Sequence, residues 1–372
     1  MNMNRRKFLS GAALATAAAG VAACTITPEE LTELTAQEAS LPEFTWQMAT
    51  SFPPIADIIV EMSFAFAEHV AAMTNGKFRI EPRLAGELAP PLEVMNVVEQ
   101  GAVQCGLTAS YYFIGKSPVN AFGTSLPFGL TARQNNAWFY EGDGLALLRE
   151  FYADRFGIIQ FPAGTSGAQM GGWFNREIRS LDDIVGLKIR IAGLGGQVLD
   201  RLGATVQVLP GGEVFQALQS GAIDATDWIG PYDDLKLGFH QVARYYYYPA
   251  WWEPGAHAEF QINLEAWNEL PEEYQAAVEL AALASNIVVT ARYDAKNAEA
   301  LQELKTHDIQ IVPFPDDFLQ AAEIESFAIY EAIAARDPDF NAIFRNWNAF
   351  RMSIQEWFGL SEAAMTNYQS VL

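Results

Sequence analysis

The chain has 372 residues, 50% of them hydrophobic, which is enough for two domains that each bury a core. Its formal net charge of -22 at pH 7 argues against a nucleic-acid-binding surface. With only two cysteines, Cys24 and Cys105, a disulfide framework is excluded. We expect Cys105, inside an apolar run, to be a buried and inert thiol.

The first 23 residues have the features of an export signal. Residues 4–9 follow the twin-arginine pattern, and the Ala-rich run after them is too short to remain as a membrane anchor. The run ends at Cys24 in a sequence that resembles a lipobox, so either this cysteine receives a lipid or the signal is cleaved at an ordinary Ala-x-Ala site. Both alternatives predict a periplasmic protein. Removing the signal takes away three basic residues, which leaves 20 basic against 45 acidic residues and a net charge of -25.

Residues 24–43 are expected to form an acidic tether, because residues 25–43 contain five glutamates and no basic residue. Beyond them, apolar runs of strand length alternate with helical segments, which indicates an α/β fold. Strands are predicted at 45–49, 77–82, 103–107, 157–161, 169–174, 187–191, 222–226, 244–248 and 309–312. Helices are predicted at 55–74, 92–100, 132–151 and 271–305. Aromatic-rich helices after residue 312 are expected to pack on the body or on a second subunit, as a homodimer.

An internal repeat indicates two related α/β halves. Residues 93–103 align without a gap on residues 213–223: each copy closes a helix on glycine, at Gly101 and Gly221, and continues into a short apolar strand. We therefore predict domain I at 44–161 and 249–372 and domain II at 162–248. Crossing strands would join the domains, and the helix at 271–305, about 50 Å long, would brace both.

The segment 186–228 contains the candidate ligand site. It places Arg190 at the end of one predicted strand, and Asp227 and Trp228 at the end of another. Ligands of open α/β sheets bind outside the carboxyl ends of strands, so these side chains are expected to meet in one crevice. By the register of the repeat, Ser110 and Tyr111 are expected to reach the same crevice from the other half.

Arg190 is the candidate anion-binding residue. Its guanidinium offers two parallel N–H donors to a carboxylate and keeps its charge when buried. A structural ion pair with a nearby acid is the alternative interpretation.

Asp227, Glu253 and Gln169, with the carbonyl of Trp228, form a candidate cation site. Two carboxylates, an amide oxygen and a backbone carbonyl are the hard donors that Na⁺ or Ca²⁺ prefers. Their spacing in sequence is a weak signal, and surface or interdomain acids are the alternative.

Residues 193–198 resemble part of a dinucleotide-binding fingerprint, since they follow a strand and open a helix. Val198 occupies the third small position, however, and the strand is not the first of its domain. The alternative is that the glycines let the backbone approach the crevice closely. The aromatic residues at 245–248 and 251–252 are explained either as a ligand wall or as interdomain packing.

Several longer motifs resemble the extracytoplasmic solute-binding subunits of TRAP transporters, over the chain from about residue 44 to its end. These motifs lie at residues 108–116, 167–174, 187–193, 227–239 and 245–253. The branch most similar to them binds 2-oxo acids such as pyruvate. The resemblance implies a two-domain, periplasmic-binding-protein-like α/β fold that closes on a small organic anion and delivers it to a sodium-driven membrane permease.

The resemblance also implies roles for individual residues. The substrate-binding residues would be Arg190, which pairs with the solute carboxylate, together with Gln169, Tyr111 and Trp228. The cation would be held by Gln169, Asp227, Trp228 and Glu253. Asp227 departs from the family pattern, which has glutamate here, and its shorter side chain retracts the carboxylate.

We therefore expect a non-enzymatic protein that binds a 2-oxo or 2-hydroxy monocarboxylate with Na⁺ or Ca²⁺. Apolar walls from Tyr111, Phe113 and the aromatic segment at 245–252 are expected to limit the solute's side chain. A lipid-tethered receptor that feeds a sensor and a nucleotide-dependent enzyme that uses the Gly193 turn are the alternatives.

Overall fold

Two β-sheets organise residues 41–370, the part of the chain that this computed structural model describes. The strands are β1 (Phe44–Thr50), β2 (Phe78–Pro82), β3 (Cys105–Thr108), β4 (Ile158–Thr165), β5 (Trp173–Phe174), β6 (Lys188–Arg190), β7 (Thr205–Gln207), β8 (Ala225–Thr226), β9 (Tyr245–Tyr248), β10 (His257–Asn263) and β11 (Gln310–Pro313). The first sheet has the order β2-β1-β3-β10-β4 and the second the order β11-β9-β5-β8-β6-β7.

Helices cover both sheets, which makes this the predicted α/β fold. They are α1 (Asp57–Met73), α2 (Val94–Glu99), α3 (Ala132–Glu141), α4 (Gly144–Phe156), α5 (Gly193–Arg201), α6 (Gly211–Ser220), α7 (Pro231–Leu237), α8 (Leu264–Asn268), α9 (Glu272–Leu304), α10 (Asp316–Ala334), α11 (Pro338–Phe358) and α12 (Ala364–Ser370).

The predicted repeat is present in the structure. Helix α2 leads into β3 and α6 leads into β8, and the glycines that follow the helices, Gly101 and Gly221, have φ values of +68° and +73°. Glycine is the residue that takes this left-handed conformation at no steric cost. In each copy a glycine in the left-handed conformation ends the helix and a strand follows, and the two strands belong to different sheets.

The chain passes between the sheets three times. It leaves the first sheet after β4, returns to it from β9 to β10, and crosses again to β11, which pairs with β9 in the second sheet although residues 249–372 were predicted to belong to domain I. From Glu43 onward the residues form one compact unit. The domain limits at 161/162 and 248/249 therefore stay predictions.

Helix α9 is the long helix that the sequence predicts. It begins after Pro271, at about 1.5 Å per residue it is about 50 Å long, and it packs against α1, β4 and α7. By length and composition alone it is also the one helix among residues 41–370 that could cross a membrane. Its buried residues, including Tyr293, belong to the protein core, which is the arrangement of a bracing helix.

Two predicted elements differ from the structure, and the structure contains strands that were not predicted. The helix predicted at 132–151 is two helices, because Asp143 takes a left-handed conformation (φ +66°) between α3 and α4. The strand predicted at 169–174 is limited to β5, so Gln169 lies in the preceding loop. Strands β7 and β10 were not predicted, although the alternation of Ala258, Phe260 and Ile262 with polar residues in β10 is a strand pattern. In the structure the polar residues of β10 are buried as well.

Glu259 is a buried carboxyl at the centre of the first sheet. Burial raises its pKa to about 7, although hydrogen bonds from Gln261, Ser110 and Tyr152 act in the opposite direction. The folded protein thus keeps this proton up to about pH 7, whereas the unfolded chain loses it near pH 4.5. The free energy of unfolding of the wild type falls as pH rises through this window.

We expect Glu259→Gln to change the free energy of unfolding little at pH 4.5 and to raise it by about 2–3 kcal/mol at pH 8. The substitution removes the ionisation that burial penalises and keeps a carbonyl acceptor in place. Urea denaturation of both proteins at the two pH values measures the difference. An equal gain at both would show that ionisation of Glu259 is not the cause.

Candidate functional site

Arg190 ends β6, beside the end of β8. The register pairs Arg190 with Thr226, so Asp227 follows directly at the same edge of the sheet. Arg190 Nη1 lies 2.8 Å from Asp227 Oδ1, and Nε donates to the carbonyl of Leu209 at 3.2 Å. The arginine and aspartate side chains are 1% and 0% exposed. The structural ion pair that the sequence left as an alternative is therefore present.

The guanidinium also contacts aromatic side chains. Its Cζ lies 5.2 Å from the centroid of the Trp228 ring, a cation–π arrangement. Burial lowers the pKa of Arg190, but the charge of Asp227 and its neighbours Tyr112 and Tyr111 raise it by more, so the net shift is upward. The arginine is held charged in a buried place.

A cavity of about 40 Å³, measured as the space open to the centre of a water molecule, lies beside Arg190. All four predicted substrate-binding residues line it: Tyr111, Gln169, Arg190 and Trp228. An apolar part of the wall is formed by Phe52, Ile59, Met62, Ala258 and Val289. Arg190 is the one Lys or Arg among the described residues that line this cavity.

The remaining predicted residues, Asp227 and Glu253, contact Arg190 and Gln169 but are not among the described residues that line the cavity. The backbone N–H of Gln169 donates to the carbonyl of Glu253 at 3.2 Å, and the Gln169 amide nitrogen donates to Ser166 Oγ at 3.1 Å. Four buried side-chain oxygens have no hydrogen-bond partner of good geometry within residues 41–370. These oxygens are Gln169 Oε1, Asp227 Oδ2, Glu253 Oε1 and Glu253 Oε2.

The two acids are in an environment that disfavours their charge. Burial raises the pKa of Glu253 well above its ordinary value, and the charge of Asp227 raises it further, while Tyr111 and Arg190 oppose the shift. Burial also raises the pKa of Asp227, against the effect of Arg190. Unpaired buried oxygens of this kind are costly unless a proton or a cation satisfies them. Their chemistry matches a hard cation such as Na⁺ or Ca²⁺.

The described residues contain no cluster of three or more His, Cys, Asp and Glu arranged for a metal. The predicted cation site has only two such residues, Asp227 and Glu253, and draws its other oxygens from an amide and a backbone carbonyl.

The glycines of α5 are explained by packing. A Cβ atom on Gly193, whose φ is +67°, would lie 2.6 Å from the ring of Tyr111, and one on Gly195 would lie 2.7 Å from Trp252. The backbone therefore approaches these aromatic residues more closely than any side chain would allow. This matches the second of the two sequence interpretations, in which glycines permit close approach.

The apolar wall is the part that sequence reasoning missed. Phe52 lies two residues after the end of β1 at Thr50, a position that the strand-end rule could have indicated. Met62 and Val289 lie inside helices and carry no comparable signal. Phe113 and Trp251 are buried in the hydrophobic core. Neither Phe113 nor any of residues 245–252 is among the cavity-lining residues, so of the predicted apolar walls only Tyr111 lines the cavity.

Comparison with known proteins identifies the family. The family model for DctP, bacterial extracellular solute-binding protein, family 7, matches residues 54–337. The chain is 48% identical over 368 residues, 99% of each chain, to the monocarboxylate 2-oxoacid-binding periplasmic protein of Nostoc sp. PCC 7120.

Two solved structures share the fold. The TRAP transporter solute-binding protein of Bordetella bronchiseptica RB50, a mixed-occupancy dimer with copurified calcium and picolinate in one site, has a TM-score of 0.87 and 41% identity. The match covers 89% of this chain and 98% of the Bordetella chain. The TRAP periplasmic solute-binding protein of Pseudoalteromonas atlantica T6c, with bound sodium and pyruvate, has a TM-score of 0.84 and 33% identity over 87% and 99% of the two chains. The predicted resemblance and fold class are confirmed, and the chain belongs to the DctP family of bacterial extracellular solute-binding proteins.

Proposed function

We propose that this protein captures a small 2-oxo or 2-hydroxy monocarboxylate together with Na⁺ or Ca²⁺ outside the cytoplasm and delivers it to the membrane subunits of a TRAP permease. One observation carries the proposal: a buried, charged guanidinium lines a cavity beside four buried oxygens that have no hydrogen-bond partner within residues 41–370. These oxygens belong to Gln169, which lines the same cavity, and to Asp227 and Glu253, which contact Arg190 and Gln169. An anion and a cation satisfy this arrangement together. The names of the Nostoc, Bordetella and Pseudoalteromonas relatives support the same ligand class.

Each site residue has a distinct task in this proposal. Arg190 binds the solute carboxylate while its ion pair with Asp227 holds the guanidinium in place. Gln169 Oε1, Asp227 Oδ2, the Glu253 carboxylate and the Trp228 carbonyl would hold the cation. When bound, the cation supplies a positive charge to an oxygen at C2 of the solute. Tyr111 closes the cavity over the ligand, in contact with Gly193 of the other half.

The lining of the cavity favours a solute with one carboxylate. Arg190 is the proposed partner of the first carboxylate of the solute. For a second carboxylate, the cavity wall offers no further Lys or Arg within the described residues. His257 also lines the cavity, but burial lowers its pKa to about 4, so it is neutral at pH 7. A second carboxylate would be buried without a partner, which costs several kcal/mol.

We expect pyruvate and other short monocarboxylate 2-oxo acids to raise the melting temperature in the presence of Na⁺ or Ca²⁺, and 2-oxoglutarate to leave it unchanged. Ligands that bind only the folded state stabilise it by mass action. A thermal-shift screen after chelation, with each cation added back, measures this. Acetate is the matched control, because it lacks an oxygen at C2. Stabilisation by 2-oxoglutarate but not by pyruvate would contradict the proposal.

Location and movement complete the proposed function. We place the folded part of the chain in the periplasm, on a tether at residues 24–43 with Cys24 as its lipid anchor. Of this tether, the structure describes only residues 41–43. Domain II, at 162–248, would close on domain I over the solute. Closure excludes water, which strengthens the charged contacts within the site.

The last helices are the proposed homodimer contact. Trp357, Leu360, Met365 and Tyr368 are 62%, 77%, 58% and 66% exposed, on α11, the turn after it and α12. Large apolar side chains at this exposure are typical of a surface that a second copy covers. The dimer of the Bordetella relative supports this assembly.

A further inference from the structure

A cluster of polar side chains joins α7 to α1 and α9. We call this cluster the latch, and its residues are Asp57, Tyr232, Lys236 and Asn297. Lys236 Nζ lies 2.6 Å from Asp57 Oδ2, and the Tyr232 hydroxyl donates to the same oxygen at 3.1 Å. The backbone N–H of Tyr232 donates to Asn297 Oδ1 at 3.0 Å. Four side chains from three helices thus form one connected set of contacts.

The latch connects elements that are attached to different sheets. Helix α7 is fixed to the second sheet by Asp234, whose Oδ2 accepts hydrogen bonds from Trp173 Nε1 of β5 at 3.0 Å and from the Tyr246 hydroxyl of β9 at 2.7 Å. Helix α1 packs on β2 of the first sheet. Any movement of one sheet relative to the other therefore acts on the bond between Lys236 and Asp57.

The same helices lead directly to the cavity. Helix α7 begins two residues after Ile229, which lines the cavity next to Trp228, and α1 supplies Ile59 and Met62 to the apolar wall. None of the four latch residues is among the described residues that line the cavity. The latch thus holds two cavity walls together from outside.

The charges of the latch are well placed for an attractive pair. Asp57 is the first residue of α1, where the helix dipole favours a negative charge. Although burial raises its pKa, Lys236 and Tyr232 lower it by more, so the carboxylate is ionised at neutral pH. The side chains of Asp57 and Lys236 are 35% and 32% exposed. A pair at this exposure makes a modest contribution.

We propose that Lys236 and Asp57 are positioning residues for solute binding, whose ion pair stabilises the closed arrangement of the two halves and slows solute release. This inference rests on the proposed function. When the solute enters the open form and the halves then close over it, release requires reopening, so both the apparent dissociation constant and the dissociation rate fall as the closed fraction of the complex rises. Breaking the pair lowers this fraction and therefore weakens binding without removing any contact to the solute.

We expect Lys236→Met and Asp57→Asn each to raise the Kd for pyruvate by about 3- to 10-fold, with the change in the dissociation rate and not in the association rate. The double variant should be no weaker than the weaker single variant, because both changes break one interaction. Calorimetry gives the Kd and stopped-flow fluorescence gives the two rates. Wild-type dissociation rates in both single variants would overturn the proposal.

Arg292→Met is the matched control. It breaks the ion pair between Arg292 of α9 and Glu61 of α1, which has a similar distance of 2.7 Å and does not involve α7. The side chains of this pair are more exposed, at 43% and 62%. We expect this variant to keep the wild-type Kd and rates. A loss equal to that of Lys236→Met would assign the effect to general loosening of α1 and would overturn the specific role of the latch.

A second measurement needs no solute. Small-angle scattering of the solute-free protein should give a larger radius of gyration for Lys236→Met than for the wild type and Arg292→Met. If the wild type binds no 2-oxo acid, the proposed function fails, and this scattering comparison still decides whether the latch holds the halves together. Equal radii in all three proteins would reject the latch.

Discussion

Replacing Arg190 by alanine is expected to abolish detectable solute binding, with a Kd about 100- to 10,000-fold above that of the wild type. A guanidinium donates two hydrogen bonds to a carboxylate, and each charged hydrogen bond contributes about 1.5–3 kcal/mol. Together they correspond to a factor of about 100 to 10,000 in affinity. Calorimetry with pyruvate and the stabilising cation measures the change.

Two further variants make this result interpretable. Because Asp227 loses its partner in Arg190→Ala, that variant carries an uncompensated buried charge and is expected to lose about 3–5 kcal/mol of stability. The double variant Arg190→Ala with Asp227→Asn removes the charge and tests binding in a more stable background. Lys188→Ala, two residues earlier on β6 and 45% exposed, is the control and should bind normally. Micromolar affinity in Arg190→Ala would remove Arg190 from its proposed role.

Replacing Glu253 by glutamine is expected to weaken cation binding by roughly 100-fold and to weaken solute binding with it. Glu253 contributes two of the four unpaired buried oxygens and half of the site's carboxylate charge. Because burial raises its pKa well above the ordinary value, cation binding to the wild type should displace a proton. Calorimetry with CaCl₂ and NaCl, in buffers of different ionisation enthalpy, measures both affinity and proton release.

This variant has a signature in the absence of cation as well. A neutral amide replaces a buried carboxyl without good partners, so the cation-free variant should melt at a higher temperature than the cation-free wild type. Glu259→Gln is the matched control, since Glu259 is 2% exposed, against 1% for Glu253, but belongs to β10 and not to the proposed cation site. It should leave cation affinity unchanged. Wild-type cation affinity and proton release in Glu253→Gln would exclude Glu253 as a ligand.

The sequence predicted the charged part of the candidate site because that part is organised by strand ends. Arg190 and Asp227 lie at the carboxyl ends of neighbouring strands, and a repeat closed by Gly101 and Gly221 indicated two related halves. These are local signals that act over a few residues. Gln169 and Glu253 lie at no strand end, and their roles were predicted from the family resemblance; the structure brings the two residues into contact. Their roles remain predictions.

The apolar wall could not be predicted in the same way. Ile59, Met62 and Val289 lie on buried faces of helices, and a side chain that lines a cavity has the same spacing in sequence as one that fills a core. Only the packing of α1 and α9 around β4 decides between them. Strand β10 was missed for a related reason, since its partners lie far away in sequence and its polar residues are satisfied only in the folded sheet.

The ion pair of Arg190 with Asp227 has a kinetic consequence for the whole protein. With 1% exposure and a carboxylate beside it, Arg190 projects little positive potential into the solvent, while the whole chain carries a net charge of -22. An approaching anion is therefore repelled until it has entered the cleft, and dissolved salt should speed its capture by screening that repulsion. The association rate of the solute is therefore expected to be lower than in a protein with a positively charged cleft, and inorganic anions such as chloride are not concentrated near the cavity.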